Sequence, residues 1–143
     1  MTIENDYGRW INQLSHQIKR RMDARLARMG VTGVQGRILH YIIDRQKEQP
    51  VFQKDIEEVF RLRRSTATGI LQLLEKNGLI RREAVSHDAR LKSLIPTEKA
   101  DAIYKEMRDC IQETQGLLVQ DIDPAQLQIF LQVVRQMSDN LGS

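Results

Sequence analysis

The chain has 143 residues, of which 41% are hydrophobic and 29% charged, and its formal net charge is +3. This length fits one domain with a buried core, and no apolar run approaches the roughly 20 residues that a membrane helix needs. The first residues, MTIENDYGRW, lack a charged lead followed by an apolar block, so we expect no signal peptide. A single cysteine, Cys110, excludes an internal disulfide, and we expect a cytoplasmic protein.

The charge is distributed unevenly along the chain. Arg61–Lys92 contains eight Lys/Arg against three Asp/Glu, a local balance of +5. Asp101–Ser143 contains three basic against seven acidic residues, a balance of −4. A basic middle joined to an acidic tail indicates one surface that faces a polyanion and another that does not. A random scatter of solvated charges is the alternative.

Two helices are predicted at the start of the chain. Apolar residues that step by three and four predict one long amphipathic helix that ends at Gly30. They are Ile3, Tyr7, Trp10, Ile11, Leu14, Ile18, Met22, Leu26 and Met29. Thr32 and Gln35 form a capping-box pattern, which opens a second helix that ends near Gln46. Its buried positions are Val34, Ile38, Leu39, Ile42 and Ile43.

The middle of the chain has the spacing of a helix-turn-helix. Phe52–Phe60 predicts a short helix that buries Ile56, Val59 and Phe60, and Leu62 fits the apolar residue of the turn. Arg63–Gly78, with the sequence RRSTATGILQLLEKNG, predicts the second helix, which ends at Asn77-Gly78. Its apolar face comprises Ile70, Leu71, Leu73 and Leu74. A short turn followed by a helix with hydroxyls at its start is typical of a DNA-reading motif.

A hairpin and two further helices follow. Leu79–Ala84 and Leu91–Ile95 are predicted strands, joined by the polar loop Val85–Arg90. Pro96 ends the second strand, and Thr97 is predicted to cap a helix whose apolar positions include Ala100, Ile103, Tyr104, Met107, Ile111 and Leu118. Asp123 as N-cap and Pro124 at the first helical position predict the last helix. Its predicted buried residues are Leu127, Phe130, Leu131, Val134, Met137 and Leu141. The predicted fold is therefore mainly α with a small β-hairpin.

This order of elements resembles that of the MarR family of winged helix-turn-helix regulators. Three stretches carry the resemblance: RSTATGILQLLEKNGLIRRE, SHDARLKSL and IPTEKA. Asp88-Ala89-Arg90 corresponds to the family's D-x-R wing signature, and Pro96-Thr97-Glu98-Lys99 to its usual entry into the fifth helix. The resemblance implies one MarR-like chain over 1–143, with a winged helix-turn-helix DNA-binding region over 32–96. Residues 1–30 and 97–143 would form a helical dimerisation region.

The resemblance implies binding to double-stranded DNA, and the residue types fit that role. Short hydroxyl side chains let a helix backbone approach the major groove, while arginines at a helix N-terminus favour phosphate. Arg90 resembles the arginine that the family inserts into the minor groove, and we expect Asp88 to hold its guanidinium by a fork-like hydrogen bond. A solvated loop charge is the alternative for Arg90. The predicted DNA-binding residues are Lys54, Arg63, Arg64, Ser65, Thr66, Thr68, Gln72, Arg82, Asp88, Arg90 and Lys92.

Two positions depart from the family's pattern. Phe52 stands where a Ser or Thr usually begins the first helix of the motif, so we expect the cap to be absent or shifted. Gly69 stands where relatives often have a basic residue, and a glycine inside a helix costs about 1 kcal/mol relative to alanine. These departures leave an alternative open: a dimeric winged-helix module that binds protein and has no specific DNA binding.

The resemblance also implies a homodimer and a possible ligand. Two recognition helices would meet successive major grooves about 34 Å apart on a pseudo-palindromic operator, and a dimer that occupies a promoter is expected to repress it. Relatives often bind a small aromatic or amphipathic acid between dimer body and winged region. The residues expected to border such an effector are Trp10, Leu14, His16, Arg37 and Tyr41. Core packing or dimer contact is the alternative for each of them.

Catalytic and metal-binding patterns are missing from the sequence. His16, His40 and His87 are widely scattered and share no ligand spacing with Cys110. Neither a glycine-rich phosphate loop nor a nucleophile elbow occurs. We therefore expect no enzyme activity, no catalytic residues, no metal and no cofactor.

Overall fold

The structure, a computed structural model, describes residues 5–85 and 87–142. Within these residues the elements are α1 (Tyr7–Ala27), α2 (Gly33–Gln46), α3 (Gln53–Val59), α4 (Arg64–Lys76), β1 (Ile80–Val85), β2 (Asp88–Pro96), α5 (Glu98–Val119) and α6 (Pro124–Asn140). The predicted mainly helical fold with one antiparallel hairpin is confirmed. Ile3, predicted to begin the first helix, and Ser86 of the predicted wing loop lie outside the described residues. The chain divides into two compact units, one ending at Ile111 and the other beginning at Gln112.

The corner between α1 and α2 is closed by local hydrogen bonds. Gly30, at φ +73°, ends the turn after α1 in the left-handed region that glycine tolerates. The predicted capping box is confirmed, because the N–H of Gln35 donates to Thr32 Oγ1 at 3.1 Å and the N–H of Thr32 donates to Gln35 Oε1 at 3.1 Å. The two helices approach closely at Gly36, where an added Cβ would lie 2.5 Å from Leu26 Cδ1.

One hydrophobic core joins α2, the helix pair α3–α4 and the hairpin. Its fully buried members include Leu26, Ile38, Leu39, Ile42, Ile56, Leu71, Leu74, Ile80 and Leu94. The N–H of Leu94 in β2 also donates to the carbonyl of Val51, 2.7 Å away and just before α3. Shared burial and this backbone bond fix the hairpin relative to the helix pair.

Some predicted core positions of this unit are exposed. Leu73 of α4 is 49% exposed and Val59 of α3 is 51% exposed, and Val34 at the start of α2 is also exposed. In α4 the buried stripe is Ala67, Leu71 and Leu74, at spacings of four and three residues. Leu73 lies off that stripe because each residue turns the helix by 100°. The prediction of burial was wrong for these three residues.

The hairpin differs from its predicted form. The predicted loop Val85–Arg90 lies partly within the strands, since β1 extends to Val85 and β2 begins at Asp88. Val85 pairs with Asp88 while Ala84 pairs with Lys92, so a bulge lies between the two pairs. A bulge accommodates extra residues in one strand without ending the ladder, and polar composition alone does not reveal it.

The second unit contains the end of α5 and all of α6. The predicted start of α6 is confirmed, because Asp123 Oδ1 accepts the N–H of Ala125 at 2.9 Å and Pro124 takes the first helical position. The apolar residues predicted to be buried along α6 are not buried within the single chain: Phe130 is 52% exposed, Leu131, Val134 and Leu141 are exposed, and no α6 residue is buried. Ile111 of α5, in the first unit, is exposed as well. A unit of 32 residues has too little chain to cover its own apolar helix faces.

Candidate nucleic-acid interface

The solvent-facing side of α4 is polar and open. Ala67, Leu71 and Leu74 point into the core, so the opposite side faces solvent. Ser65, Thr66, Gly69, Gln72 and Lys76 are exposed on that side. An added Cβ at Gly69 would meet no atom within 4 Å. Hydroxyl, amide and ammonium groups thus line this side of α4 together with the exposed Leu73, and the space around Gly69 is open.

Two arginines begin this helix. Arg63 is the N-cap residue in extended conformation and makes no side-chain capping bond, and Arg64 is the first helical residue. Both side chains are exposed. Because the first N–H groups of a helix have no partner within it, cations and amides here together favour an anion such as phosphate.

The first helix of the motif begins without a hydroxyl cap, as expected. Phe52 is the N-cap of α3 and has no side chain that accepts a hydrogen bond. The carboxylate of Asp55 instead accepts the N–H of Phe52 at 2.9 Å, which is half of a capping box. Lys54, a predicted DNA-binding residue, is exposed on this helix.

Gln53, which the sequence analysis did not select, joins α3 to α4. Its Nε2 donates to Thr68 Oγ1 at 2.8 Å, and both side chains are half-buried. Thr68 is therefore less open than the other predicted hydroxyl residues of α4. The available signal was a polar residue directly after the expected start of the motif, although spacing alone does not show which α4 residue it meets.

The wing places Arg90 in solvent. Its side chain is 95% exposed, and its Nε lies 3.7 Å from Asp88 Oδ1, too far for a hydrogen bond. The predicted fork-like hydrogen bond is therefore wrong. Asp88 Oδ1 accepts the backbone N–H of Arg90 at 2.9 Å instead, because the two residues lie in the tight bulged turn. Asp88 thus fixes the backbone at Arg90, while the guanidinium forms only an exposed ion pair with the same carboxylate.

The two other predicted cations of the hairpin lie in different surroundings. Lys92 is exposed on β2. Arg82 of β1 turns towards α4, where its Nε lies 3.7 Å from Glu75 Oε1, and its side chain is only 25% exposed. The structure therefore brings Arg82 against α4 rather than into open solvent.

The end of α4 is held by the start of α5. Gly78, at φ +73°, lets the N–H of Leu79 return to the carbonyl of Leu74 at 2.9 Å. Thr97 was predicted to cap α5, but its Oγ1 donates to the carbonyl of Gly78. Lys99 Nζ donates to the carbonyl of Asn77 at 2.8 Å, which places a cation at the negative end of the helix dipole. These bonds fix the orientation of α4.

Residues 29–91 match the model of the MarR family. The solved MarR transcription regulator of Oenococcus oeni PSU-1 is 28% identical and has a TM-score of 0.66, with 94% of this chain and 99% of that one covered. A putative MarR family transcriptional regulator of Clostridium acetobutylicum is 26% identical with a TM-score of 0.74, over 94% and 97% of the two chains. Over residues 29–91 the chain is therefore similar to the MarR family, and its fold is that of MarR-family transcription regulators.

A DNA complex of the S. aureus protein MepR shares the fold of this chain. Its TM-score is 0.77 at 23% identity, and the match covers 94% of this chain and 99% of that one. The matched proteins with stated roles are transcription regulators rather than enzymes. In residues 5–85 and 87–142, no helix combines the length and apolar character needed to cross a membrane.

A groove on α2 is lined by two of the five predicted effector residues. Its volume is about 300 Å³, and it is lined by Arg37, His40, Tyr41, Asp44, Arg45 and Glu48. Trp10, Leu14 and His16 do not line it and are exposed on α1. The structure thus separates the predicted effector residues into two sets within one chain.

The floor of this groove is tied to α5 by polar contacts. Tyr104 Oη donates to Asp44 Oδ1 at 2.6 Å, and His40 Nδ1 lies 3.1 Å from Asp44 Oδ2. The rings of His40 and Tyr104 stack with centroids 4.9 Å apart. Arg108 donates to Tyr104 Oη at 3.4 Å, and this bond, together with the negative charge of Asp44, raises the pKa of Arg108.

Proposed function

We propose that this protein is a transcription regulator that binds an operator in double-stranded DNA as a homodimer and represses the promoter it occupies. The observation that carries the proposal is the open polar side of α4, with Arg63 and Arg64 at its start and Arg90 extended on the wing. The match of residues 29–91 to the MarR family model and the DNA complex of MepR support the same role. The winged region 32–96 and the dimerisation segments 1–30 and 97–143 are parts of this proposal.

The proposed mode of binding follows from the chemistry of these groups. Ser65, Thr66 and Gln72 on α4 read base edges in the major groove, where each base pair presents a distinct pattern of donors and acceptors. Arg63, Arg64 and Lys54 neutralise phosphates and fix the register. Arg90 on the wing enters the minor groove, whose negative potential is strongest where A·T pairs narrow it.

The proposed dimer explains the exposed apolar helix faces. In the first unit, Tyr7, Trp10, Ile11 and Leu14 are exposed along one helix, and in the second, Phe130, Leu131 and Val134 are. Apolar surface of this extent on a protein marks a site of association. A two-fold dimer buries each face and sets two copies of α4 about 34 Å apart, one turn of DNA.

Repression and its release complete the proposal. A dimer on a promoter blocks polymerase, and a chromosome-binding role places the protein in the cytoplasm. A small aromatic or amphipathic acid bound near Arg37 and Tyr41 would release it by changing the separation of the two α4 helices. Such a ligand would be contacted by Trp10, Leu14 and His16 of the partner subunit, or by the same residues of this chain after a conformational change.

A fluorescence anisotropy titration across a salt series tests the DNA-binding proposal. The probe is duplex DNA from upstream of the protein's own gene, and random duplex is the control. We expect binding at least about 10³-fold tighter than to random DNA, weakening steeply with salt as condensed cations are released. Replacement of both Arg63 and Arg90 by alanine should remove this binding while the dimer remains intact.

The opposite results are equally informative. If neither duplex binds even at low salt, the DNA-binding proposal is wrong, and a module that binds protein through its winged surface takes its place. Equal, weak binding to both duplexes would contradict an operator in the upstream DNA. Selection from a random duplex library then decides whether any sequence is preferred.

A further inference from the structure

Resting on the proposed function, we propose that Gln53 and Thr68 form one reading unit, in which Thr68 holds the Gln53 amide so that it recognises an adenine in the major groove. Gln53 is the first residue of α3, and Thr68 lies in the first half of α4. The 2.8 Å bond from Gln53 Nε2 to Thr68 Oγ1 is the contact that joins them. It places a side chain from the first helix of the motif beside the helix that faces DNA.

Thr68 lies at the border between core and solvent. It follows the fully buried Ala67 and stands one helical turn before the exposed Gln72. An amide that reaches Thr68 therefore lies beside the open polar side of α4. Both Gln53 and Thr68 are half-buried, so each keeps an accessible part.

The hydrogen bond leaves the groups free that adenine requires. A glutamine amide has two N–H donors and one acceptor oxygen. One N–H is used by Thr68, and no described residue engages the second N–H or Oε1. Adenine presents N6–H₂ as donor and N7 as acceptor in the major groove, and a glutamine amide matches both at once. Fixing the amide plane in advance lowers the entropy lost when that contact forms.

The salt dependence of binding distinguishes base recognition by Gln53 and Thr68 from contacts to phosphate. Neither Gln53 nor Thr68 is ionised, so neither releases counterions on binding. Removing either side chain should change base preference without changing the salt slope, whereas the loss of a lysine or arginine reduces that slope.

The experiment measures competition between the operator and all its single-base variants, for wild type and five variants. In wild type we expect one A·T pair in each half-site to be preferred by about tenfold over other pairs. Gln53→Ala and Thr68→Val, which keeps the shape but removes the hydroxyl, should both lose this preference. Thr68→Ser should keep it. Gln53→Glu should shift it towards C·G, since a carboxylate accepts from cytosine N4.

Gln49→Ala, at an exposed glutamine before α3, is the matched control and should bind as wild type does. An unchanged preference in Gln53→Ala or Thr68→Val overturns the inference. So does an equal loss of affinity for operator and random duplex, because that result makes the pair a purely structural clamp between α3 and α4. If wild type itself prefers no sequence, that result contradicts the proposed function, on which this inference rests. Thermal melts confirm that each variant is folded.

Discussion

Asp88 shows how one wing residue acts through the backbone. Its carboxylate oxygen accepts the N–H of Arg90 at 2.9 Å, while the Arg90 guanidinium extends into solvent. The ion pair itself is exposed and contributes little to stability. On the proposed function, we therefore expect Asp88 to act on DNA binding through the conformation of the turn that presents Arg90.

Asp88→Ala should weaken operator binding by about 1 kcal/mol, roughly fivefold, because the turn loses one hydrogen bond. Asp88→Asn keeps an acceptor oxygen and removes a negative charge, so its affinity should equal or exceed that of wild type. Anisotropy titrations of both variants, repeated with Arg90→Ala, form a double-mutant cycle. Additive losses from Asp88→Ala and Arg90→Ala would contradict a role for Asp88 that acts through Arg90.

At the scale of an element, α4 has an exposed glycine in its middle. Gly69 has open space around it, whereas Gly36 in α2 is pressed against Leu26. Both glycines weaken their helices by about 1 kcal/mol relative to alanine. Packing requires glycine at Gly36. Within the described structure, no neighbouring atom requires a glycine at Gly69. We infer that glycine at this position allows DNA to approach α4 closely.

Gly69→Ala should raise the free energy of unfolding by up to about 1 kcal/mol, yet lower operator affinity several-fold. Gly36→Ala is the control, because overpacking should cost about 1–3 kcal/mol and outweigh the helix gain. Urea unfolding at fixed protein concentration gives the stabilities, and anisotropy gives the affinities. A stabilised Gly69→Ala protein with unchanged operator affinity would show that DNA does not occupy the open space at Gly69.

At the scale of the whole molecule, the exposed apolar helix faces predict association. Sedimentation should give wild type twice the mass of one chain at micromolar concentration. Phe130→Glu places a charge on an apolar face of α6, where Phe130 is 52% exposed in the single chain. Because no core is disturbed, this variant should fold as a monomer that binds operator far more weakly. Gln136→Glu, at an exposed polar position of the same helix, should remain dimeric. A monomeric wild type, or a dimeric Phe130→Glu, would refute the proposed dimer.

Local signals in the sequence located most elements. The Thr32–Gln35 capping box, the glycine stop at Gly78 and the Asp123-Pro124 helix start each depend on neighbours within a few residues, and each is confirmed. The absence of a hydroxyl cap at Phe52 was also predicted from the sequence, since it depends on that residue alone.

By itself, the sequence determined the order of the helices, the hairpin and the resemblance to the MarR family, because periodicity, caps and motifs are local properties of the chain. Tertiary structure alone decided which apolar residues are buried, since Leu73 and Phe130 have helical spacing but no partner element within their own units. It also decided that Asp88 bonds a backbone N–H, that Arg82 turns to Glu75 and that Gln53 meets Thr68. Contacts between residues far apart in sequence depend on how elements pack, and spacing along the chain does not encode them.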